Sequence, residues 1–353
     1  MNLTLQIKLL TDSSQHAALL KTMRVFNDAC TFIAEVAFRE RCASKFILQK
    51  LVYSDVRAQF GLSAQLTVRA IGKVVDAYKR DKNIQCQFRP TGAVIYDQRI
   101  LSFKGLEFAS ILTMDGRQTI PMQMGDYQRV QFNRGHGQAD LVLVGSTFYL
   151  LLVVDTPTST PTEPTEFLGV DIGIIQIASD SDGQSFSGDS IENARRRYHT
   201  LRKSLQACGS RSAKRHLKRI NRKESHFRSN TNHVISKKLV LKAQGTSRGI
   251  ALENLKHIRE RTTVRRADRA KHSGWSFFQL QSFIEYKAKL CGVAVQYIDP
   301  RNTSRTCSVC GHVAKANRKT QSSFLCVSCG HTANADANAA MNIATKALSC
   351  GLS

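Results

Sequence analysis

The spacing of hydrophobic and polar positions changes several times along the chain, and each change marks an element. Leu3, Leu5, Ile7 and Leu9 alternate with Thr4, Gln6 and Lys8, which predicts a half-buried strand. From residue 12 to 81 the period lengthens. Leu19, Leu20, Met23, Phe26, Cys30, Ile33 and Ala37 share one helical face behind a cap at Ser13 or Ser14. Leu66, Ala70, Val74 and Tyr78 form another behind Ser63, so two or three helices are expected. From Ile84 alternation returns in short runs, IQCQF, AVIYDQRILSF, SILTM, TIPMQM, QRVQF and LVLVGSTFYLLLVV, each read as strand, with a hairpin turn at Asp115-Gly116. If the first strand pairs with these, the helices are an insertion in a small β-barrel.

Thr156 to Glu166, TPTSTPTEPTE, carries three of the six prolines and no apolar side chain, and reads as a semi-extended linker between domains. After it, Phe167 to Ile175 is an almost continuous apolar run broken by Asp171. A lone acid in a buried strand costs several kcal/mol to desolvate, so a metal or a basic side chain has to answer it. Gly169 and Gly173 flank it and leave room for a ligand or backbone to approach. Residues 193–245 contain no proline and suit two long helices broken near Gly209. The short apolar strand GIALENL carries Glu253, which alone could equally be a surface glutamate. Arg259 to Arg269 reads as a basic loop, Trp275 to Leu290 as a helix with Trp275, Phe278, Leu280, Ile284, Ala288 and Leu290 largely on its apolar side, and GVAVQYID as a further strand.

Charge adds a partner. The 353 residues have a formal net charge of +24, and between Asn193 and His272 there are 24 Lys or Arg against four acids. An ordinary solvated helix face mixes both signs, so this bias points to a phosphate backbone. A membrane surface is not expected: the segment lacks a sustained apolar face, and no run approaches the roughly eighteen apolar residues of a span. The amino terminus MNLTLQIKLL lacks the cationic region and apolar core of a signal peptide, and ten cysteines suit a reducing cytoplasm.

Cys307, Cys310, Cys326 and Cys329 form two C-x-x-C pairs with fifteen residues between them, the spacing of a four-thiolate zinc site. Gly311 and Gly330 follow the pairs, where each metal knuckle turns sharply. Two disulfides or free core thiols are the plainer alternative. Seven residues past the last cysteine, Asp336 opens an apolar helical pattern, where it could be an N-cap. Taken together, Asp171, Glu253 and Asp336 are three hard oxygen ligands on distant segments. Such ligands prefer Mg²⁺ or Mn²⁺, and converging on one point they would support phosphodiester hydrolysis with two ions about 4 Å apart.

The order G-V-D-I-G (Gly169 to Gly173), E-N-L (Glu253 to Leu255), C-x-x-C-G twice, and N-A-D-A-N-A-A-M-N-I (Asn334 to Ile343) resembles the RuvC-like nuclease domain of the TnpB family. These are transposon-encoded, RNA-guided DNA endonucleases related to type V CRISPR effectors. The motif resemblance covers residues 167–348, including Gly274-Trp275 and Pro300 to Arg305, and over 1–155 it is architectural only.

It implies an α/β multidomain protein: a β-barrel wedge domain (1–10 and 82–155) with a helical recognition insertion (11–81), the linker 156–166, and an RNase H-like, RuvC nuclease domain (167–302 and 331–353) carrying a four-cysteine zinc ribbon (303–330). It further implies that Asp171, Glu253 and Asp336 are catalytic and hold Mg²⁺ or Mn²⁺. The cysteines hold Zn²⁺, one protein binds one guide RNA, and the target is double-stranded DNA in a prokaryotic, nucleoid-associated cytoplasm. One nuclease site would cut both strands in turn. A miniature type V CRISPR effector, or a non-cleaving RNA-guided regulator, is the alternative. The chain departs from many relatives in having Ala335 where they carry arginine before the third acid, and it stops soon after the last helix.

Overall fold

The computed structural model describes residues 1–132, 136–161, 163–255, 277–320 and 322–350. The chain divides into two compact units, Met1–Pro157 and Thr158–Ser353, and the division falls inside the proline-containing segment.

In the first unit, β1 (Asn2–Leu9) is followed by three helices, α1 (Ser13–Arg39), α2 (Lys45–Phe60) and α3 (Ala64–Arg80). Then come β2 (Val94–Tyr96), β3 (Leu101–Lys104), β4 (Phe108–Thr113), β5 (Gly116–Gln123), a short α4 (Asp126–Phe132), β6 (His136–Val144) and β7 (Thr147–Asp155). The strands form one sheet in the order β2-β6-β7-β1-β5-β4-β3. β1 lies in its middle, antiparallel to β7 from Asn2 opposite Asp155 to Lys8 opposite Tyr149, and to β5 at Lys8 opposite Gln123. The first strand therefore joins the later ones, with the helices inserted after it. Edge strands β2 and β3 are consecutive in the chain, and Tyr96 Oη donates to Leu112 O of β4 at 3.0 Å. The sheet curls into a near-barrel, with no ladder joining its edges among the described residues.

Three local expectations are corrected. The cap of α1 is Asp12, not Ser13 or Ser14: Gln15 N donates to Asp12 Oδ1 at 2.8 Å while Asp12 N donates to Gln15 Oε1 at 3.2 Å. A carboxylate is the stronger acceptor at a positive helix end, and the reciprocal pair satisfies two amides. QRVQF is the body of α4, started by a Gly125 N to Gln128 Oε1 bond of 2.8 Å; five residues are too few to separate the two periods. IQCQF belongs to no strand, and Phe88 N there donates to the Thr31 hydroxyl at 3.2 Å.

The second unit holds a five-stranded sheet: β8 (Phe167–Asp171), β9 (Gln176–Asp180), β10 (Ser185–Ser187), β11 (Gly249–Glu253) and β12 (Val295–Ile298), in the order β10-β9-β8-β11-β12. β8 and β9, and β9 and β10, are antiparallel, whereas β11 runs parallel to both β8 and β12. Two long helices, α5 (Asp189–Cys208) and α6 (Arg211–Gly245), connect β10 to β11 and break at Gly209, whose φ of +64° ends the first. Leu168, Val170, Ile250 and Leu252 pack with Leu239 and Val240 of α6 and with Leu280 and Ile284 of α7 (Phe277–Cys291). On α7, Phe278 is exposed and Phe277 takes the core position expected of it. Gly274, Trp275 and the Arg259–Arg269 segment lie outside the described residues.

Because side chains alternate across a strand, Phe167, Gly169 and Asp171, and likewise Ala251 and Glu253, project to the opposite face. There α8 (Ala335–Cys350) packs, with Ile343 and Ala347 against Ala251, Ile298 and Phe167. At the far end of β9, buried Asp180 receives Lys242 Nζ at 2.6 Å, and Arg248 grips Asp182 with two bonds of 2.9 and 2.6 Å, pinning the β9–β10 turn to α6.

Candidate metal centres

β8 and β11 are parallel neighbours in register, with Ala251 opposite Gly169 and Leu252 opposite Val170, so their final residues, Asp171 and Glu253, stand side by side at one end of the sheet. Helix α8 brings the third acid. It lies so close to β8 that a methyl added at Gly169 would fall 2.0 Å from Ala340 O, so glycine is needed there for close backbone approach. Asp336 sits one turn before Ala340, at the start of that helix. It is not the cap, because Asn334 Oδ1 accepts from the amides of Asp336 and Ala337 at 2.9 and 3.2 Å.

Electrostatics record the convergence. Loss of water, then the nearby charges of Glu253 and Asp336, push the Asp171 carboxyl up to about 7, against the pull of Arg318. Burial also raises Glu253, opposed by its hydrogen bond from Thr303 and by Lys346 and Arg318. Burial raises Asp336 too, opposed by Arg318. Asp171 thus feels both other acids, whereas the acid that raises Glu253 is Asp299. Among the described residues only the cysteines below bring all their ligand atoms within 4.8 Å of one another, so a hard divalent cation would have to draw the three carboxylates closer. The donor set fits Mg²⁺ or Mn²⁺.

Arg318 is a site residue that sequence reasoning missed. Its Nη2 lies 3.2 Å from Asp336 Oδ1, and its charge reaches all three acids. Ala335, by contrast, is fully buried with Cys307, Phe324 and Cys326, where an arginine would not fit. The cation next to the third acid thus comes from the cysteine-bearing segment instead of the residue before the acid. One arginine among 51 basic residues gives no periodic signal that could have singled it out.

The four cysteines also meet: their sulfurs all lie within 4.8 Å of one another, with Cys307 Sγ to Cys329 Sγ 3.7 Å and Cys310 Sγ to Cys326 Sγ 3.6 Å. Those distances exclude disulfides here and approach the about 3.8 Å edge of a tetrahedron with 2.3 Å zinc–sulfur bonds. The two knuckles repeat one pattern. Gly311 N donates to Cys307 O and Cys307 N to His312 O; Gly330 N donates to Cys326 O and Cys326 N to His331 O. Gly311 and Gly330 have φ of +73° and +75°, as the turns require. The Cys329 amide, aided by Ser328, draws the Cys326 thiol down, while, against the His331 amide, the neighbouring sulfurs push the Cys329 thiol up, so the first proton lost belongs to the cluster and four thiolates together would need a cation. A hairpin of β13 (Ser323–Leu325) and β14 (Thr332–Asn334) carries the second knuckle, and buried Asn317 ties the two together through Arg305 O, His312 O and Val327 N.

On α5 and α6 the basic residues surround an open cleft of about 660 Å³ lined by Arg197, Tyr198, Leu201, His216, Arg219 and Lys223. Glu192 pairs with Arg195 and Arg196, and Glu224 with Arg202. Cations far outnumber these acids.

Residues 151–257 match a family model described as a probable transposase, OrfB_IS605, and residues 277–343 match the Cas12f1-like TNB domain. The TnpB resemblance is borne out. The chain is 28% identical over 227 residues to a putative RNA-guided DNA endonuclease, InsQ, of Escherichia coli, covering 58% of this chain and 56% of that one. It is 41% identical over 80 residues to a TnpB-like protein of Methanocaldococcus jannaschii, covering 22% and 29%. A solved Cas12f1–sgRNA–target DNA complex shares the fold, with a TM-score of 0.62 and 15% identity over 92% of this chain and 82% of that one. The chain spans about half the length, or less, of the curated relatives it matches. No helix among the described residues is long and apolar enough to cross a membrane.

Proposed function

We propose that the chain is an RNA-guided DNA endonuclease of the TnpB type that hydrolyses phosphodiester bonds at Asp171, Glu253 and Asp336. The observation that carries this is that Asp171, at the end of two parallel strands under helix α8, feels the charges of Glu253, Asp336 and Arg318. The strand order, counted within the unit as 3-2-1-4-5 with the first three antiparallel and the last two parallel to the first, supports an RNase H-like, RuvC nuclease. The similarity to the putative RNA-guided DNA endonuclease of Escherichia coli and the TnpB-like protein of Methanocaldococcus jannaschii agrees with it.

On this reading the three carboxylates hold Mg²⁺ or Mn²⁺, which when bound supplies an activated water and charge stabilisation at the leaving oxygen. The chain's own residues do the rest. The sheet fixes the backbone of Asp171 and Glu253 and α8 that of Asp336, so binding a cation asks only their side chains to move. Arg318 offers positive charge beside Asp336, where a phosphodiester gathers negative charge in the transition state. The four cysteines bind zinc structurally and hold the segment that delivers Arg318. The cationic α5–α6 surface follows the phosphate backbone of the guide RNA and its paired DNA strand, with sequence read by base pairing. The near-barrel and its helices act as wedge and recognition domains, and one site cuts the two strands in turn.

Sequencing the RNA that co-purifies with the protein, expressed together with its own downstream locus, tests the guide. A discrete RNA running past the 3′ end of the gene supports the transposon reading; random fragments refute guidance. The Cas12f1-like TNB match favours a second reading, a miniature type V effector, which repeat-derived RNA would mark.

A further inference from the structure

Thr303 lies in the turn between β12 and the first cysteine knuckle, only 2% exposed. Its Oγ1 is 2.5 Å from Glu253 Oε1 and 2.9 Å from Pro300 O. A hydroxyl has one proton to give, and the carboxylate, nearer and charged, is the stronger acceptor. Thr303 therefore fixes one Glu253 oxygen and leaves the other for a further partner.

The turn that carries Thr303 is itself held by the helix that carries the third acid. Asn342 Nδ2 donates to Thr303 O at 2.8 Å and to Thr306 O at 2.7 Å. Asn338 Nδ2 donates to Thr306 O at 2.8 Å, and its Oδ1 accepts from Ser308 N at 3.0 Å. Both asparagines are buried, two and six residues after Asp336. Buried carboxamides bonded to main chain set a position tightly, because losing one leaves orphaned polar groups.

We propose that Thr303 is a positioning residue for Glu253: its hydroxyl, anchored through Asn342, aims the Glu253 carboxylate at the divalent-metal site and ties that acid to the helix bearing Asp336. The proposal rests on the reading of Asp171, Glu253 and Asp336 as metal ligands. It gives the zinc-ribbon base a task beyond delivering Arg318, because the backbone after Thr303 runs directly into Cys307. Partners that orient a metal ligand are typically worth roughly 10- to 100-fold in metal affinity.

The test compares Thr303→Val, which keeps the shape but removes the donor, with Thr303→Ser, which keeps the donor, in the full chain with its co-purified RNA. Mn²⁺ binding is read by electron paramagnetic resonance, alongside zinc content and the Mg²⁺ dependence of cleavage. Thr303→Val should bind Mn²⁺ at least about 10-fold more weakly and need correspondingly more Mg²⁺ at full zinc content, with Thr303→Ser close to the parent. Wild-type Mn²⁺ affinity in Thr303→Val overturns the proposal, and so does zinc loss in both variants, which would make Thr303 a ribbon-folding residue. A Glu253→Ala control separates the levels: unchanged Mn²⁺ binding there would sink the metal reading of the acid site itself, and this proposal with it.

Discussion

Replacing Gly169 with alanine should disable the acid site without touching an acid. The added methyl would sit 2.0 Å from Ala340 O and 2.6 Å from Ala344 N, both main-chain atoms of α8 that cannot rotate aside. Cβ contacts below 3.0 Å essentially do not occur, so helix and strand must separate by at least the difference between 2.0 and 3.0 Å. Asp336 rides on that helix one turn away, while Asp171 stays two residues along the strand. A misplacement of about 1 Å costs catalysis on the order of 100-fold, and overpacking costs about 1–3 kcal/mol of stability. Single-turnover cleavage of a guide-matched duplex, with thermal unfolding and zinc content measured in parallel, reads both effects. Gly245→Ala is the control, since a methyl there meets nothing within 4 Å. Gly169→Ala cutting within threefold of the parent at unchanged melting temperature would refute the argument that α8 sets the site through this contact.

The remaining predictions concern charge and metal. Cys307→Ser should lower zinc content and melting temperature together, because on the proposed reading a zinc ion joins two knuckles that share little apolar core; a full zinc equivalent in that variant contradicts the ribbon assignment. Arg318→Ala should lower the cleavage rate by about 100-fold while RNA binding persists, since one charge beside the acids is removed and the α5–α6 surface is unaltered; an unchanged rate would remove it from the site. The Asp171 carboxyl is raised from 3.8 to about 7 in the folded chain, so the stability it contributes is full below pH 3.8 and lost as pH rises through 7. Without added divalent metal, Asp171→Asn should gain on the parent between pH 5 and 8, and Mg²⁺ should stabilise the parent more at pH 8 than at pH 5.5. Parallel melting curves for the two proteins across that range would contradict this.

Much of the second unit was legible because its signals are dense. A lone carboxylate in an apolar run and two C-x-x-C-G-H knuckles each call for specific chemistry; the structure gathers the four cysteine sulfurs within 4.8 Å and sets Asp171 where Glu253 and Asp336 raise its proton affinity. Strand β1 was readable because its alternation is strict; its pairing with later strands stayed conditional, since alternation says nothing of the partner, and the structure supplies β7 and β5. Short segments failed for a physical reason. QRVQF supports either period until Gln128 reaches back to the Gly125 amide, and IQCQF has no partner strand that would make it one. Arg318, Thr303, Asn338 and Asn342 were invisible as site residues, because their roles depend on contacts between segments 18 to 50 residues apart. Ala335 read as a missing arginine; packing against Cys307 and Phe324 explains why none is there.

The central claim is that guided cleavage occurs at these three acids. The most direct measurement is cutting of a plasmid carrying a sequence complementary to the terminal segment of the co-purified RNA, in a randomised flanking context, with Mg²⁺ present. Linearisation of the matched plasmid alone, lost in Asp171→Ala while RNA binding is retained, is the result this account predicts. Equal cutting of matched and unmatched plasmids, or undiminished cutting by Asp171→Ala, would contradict it.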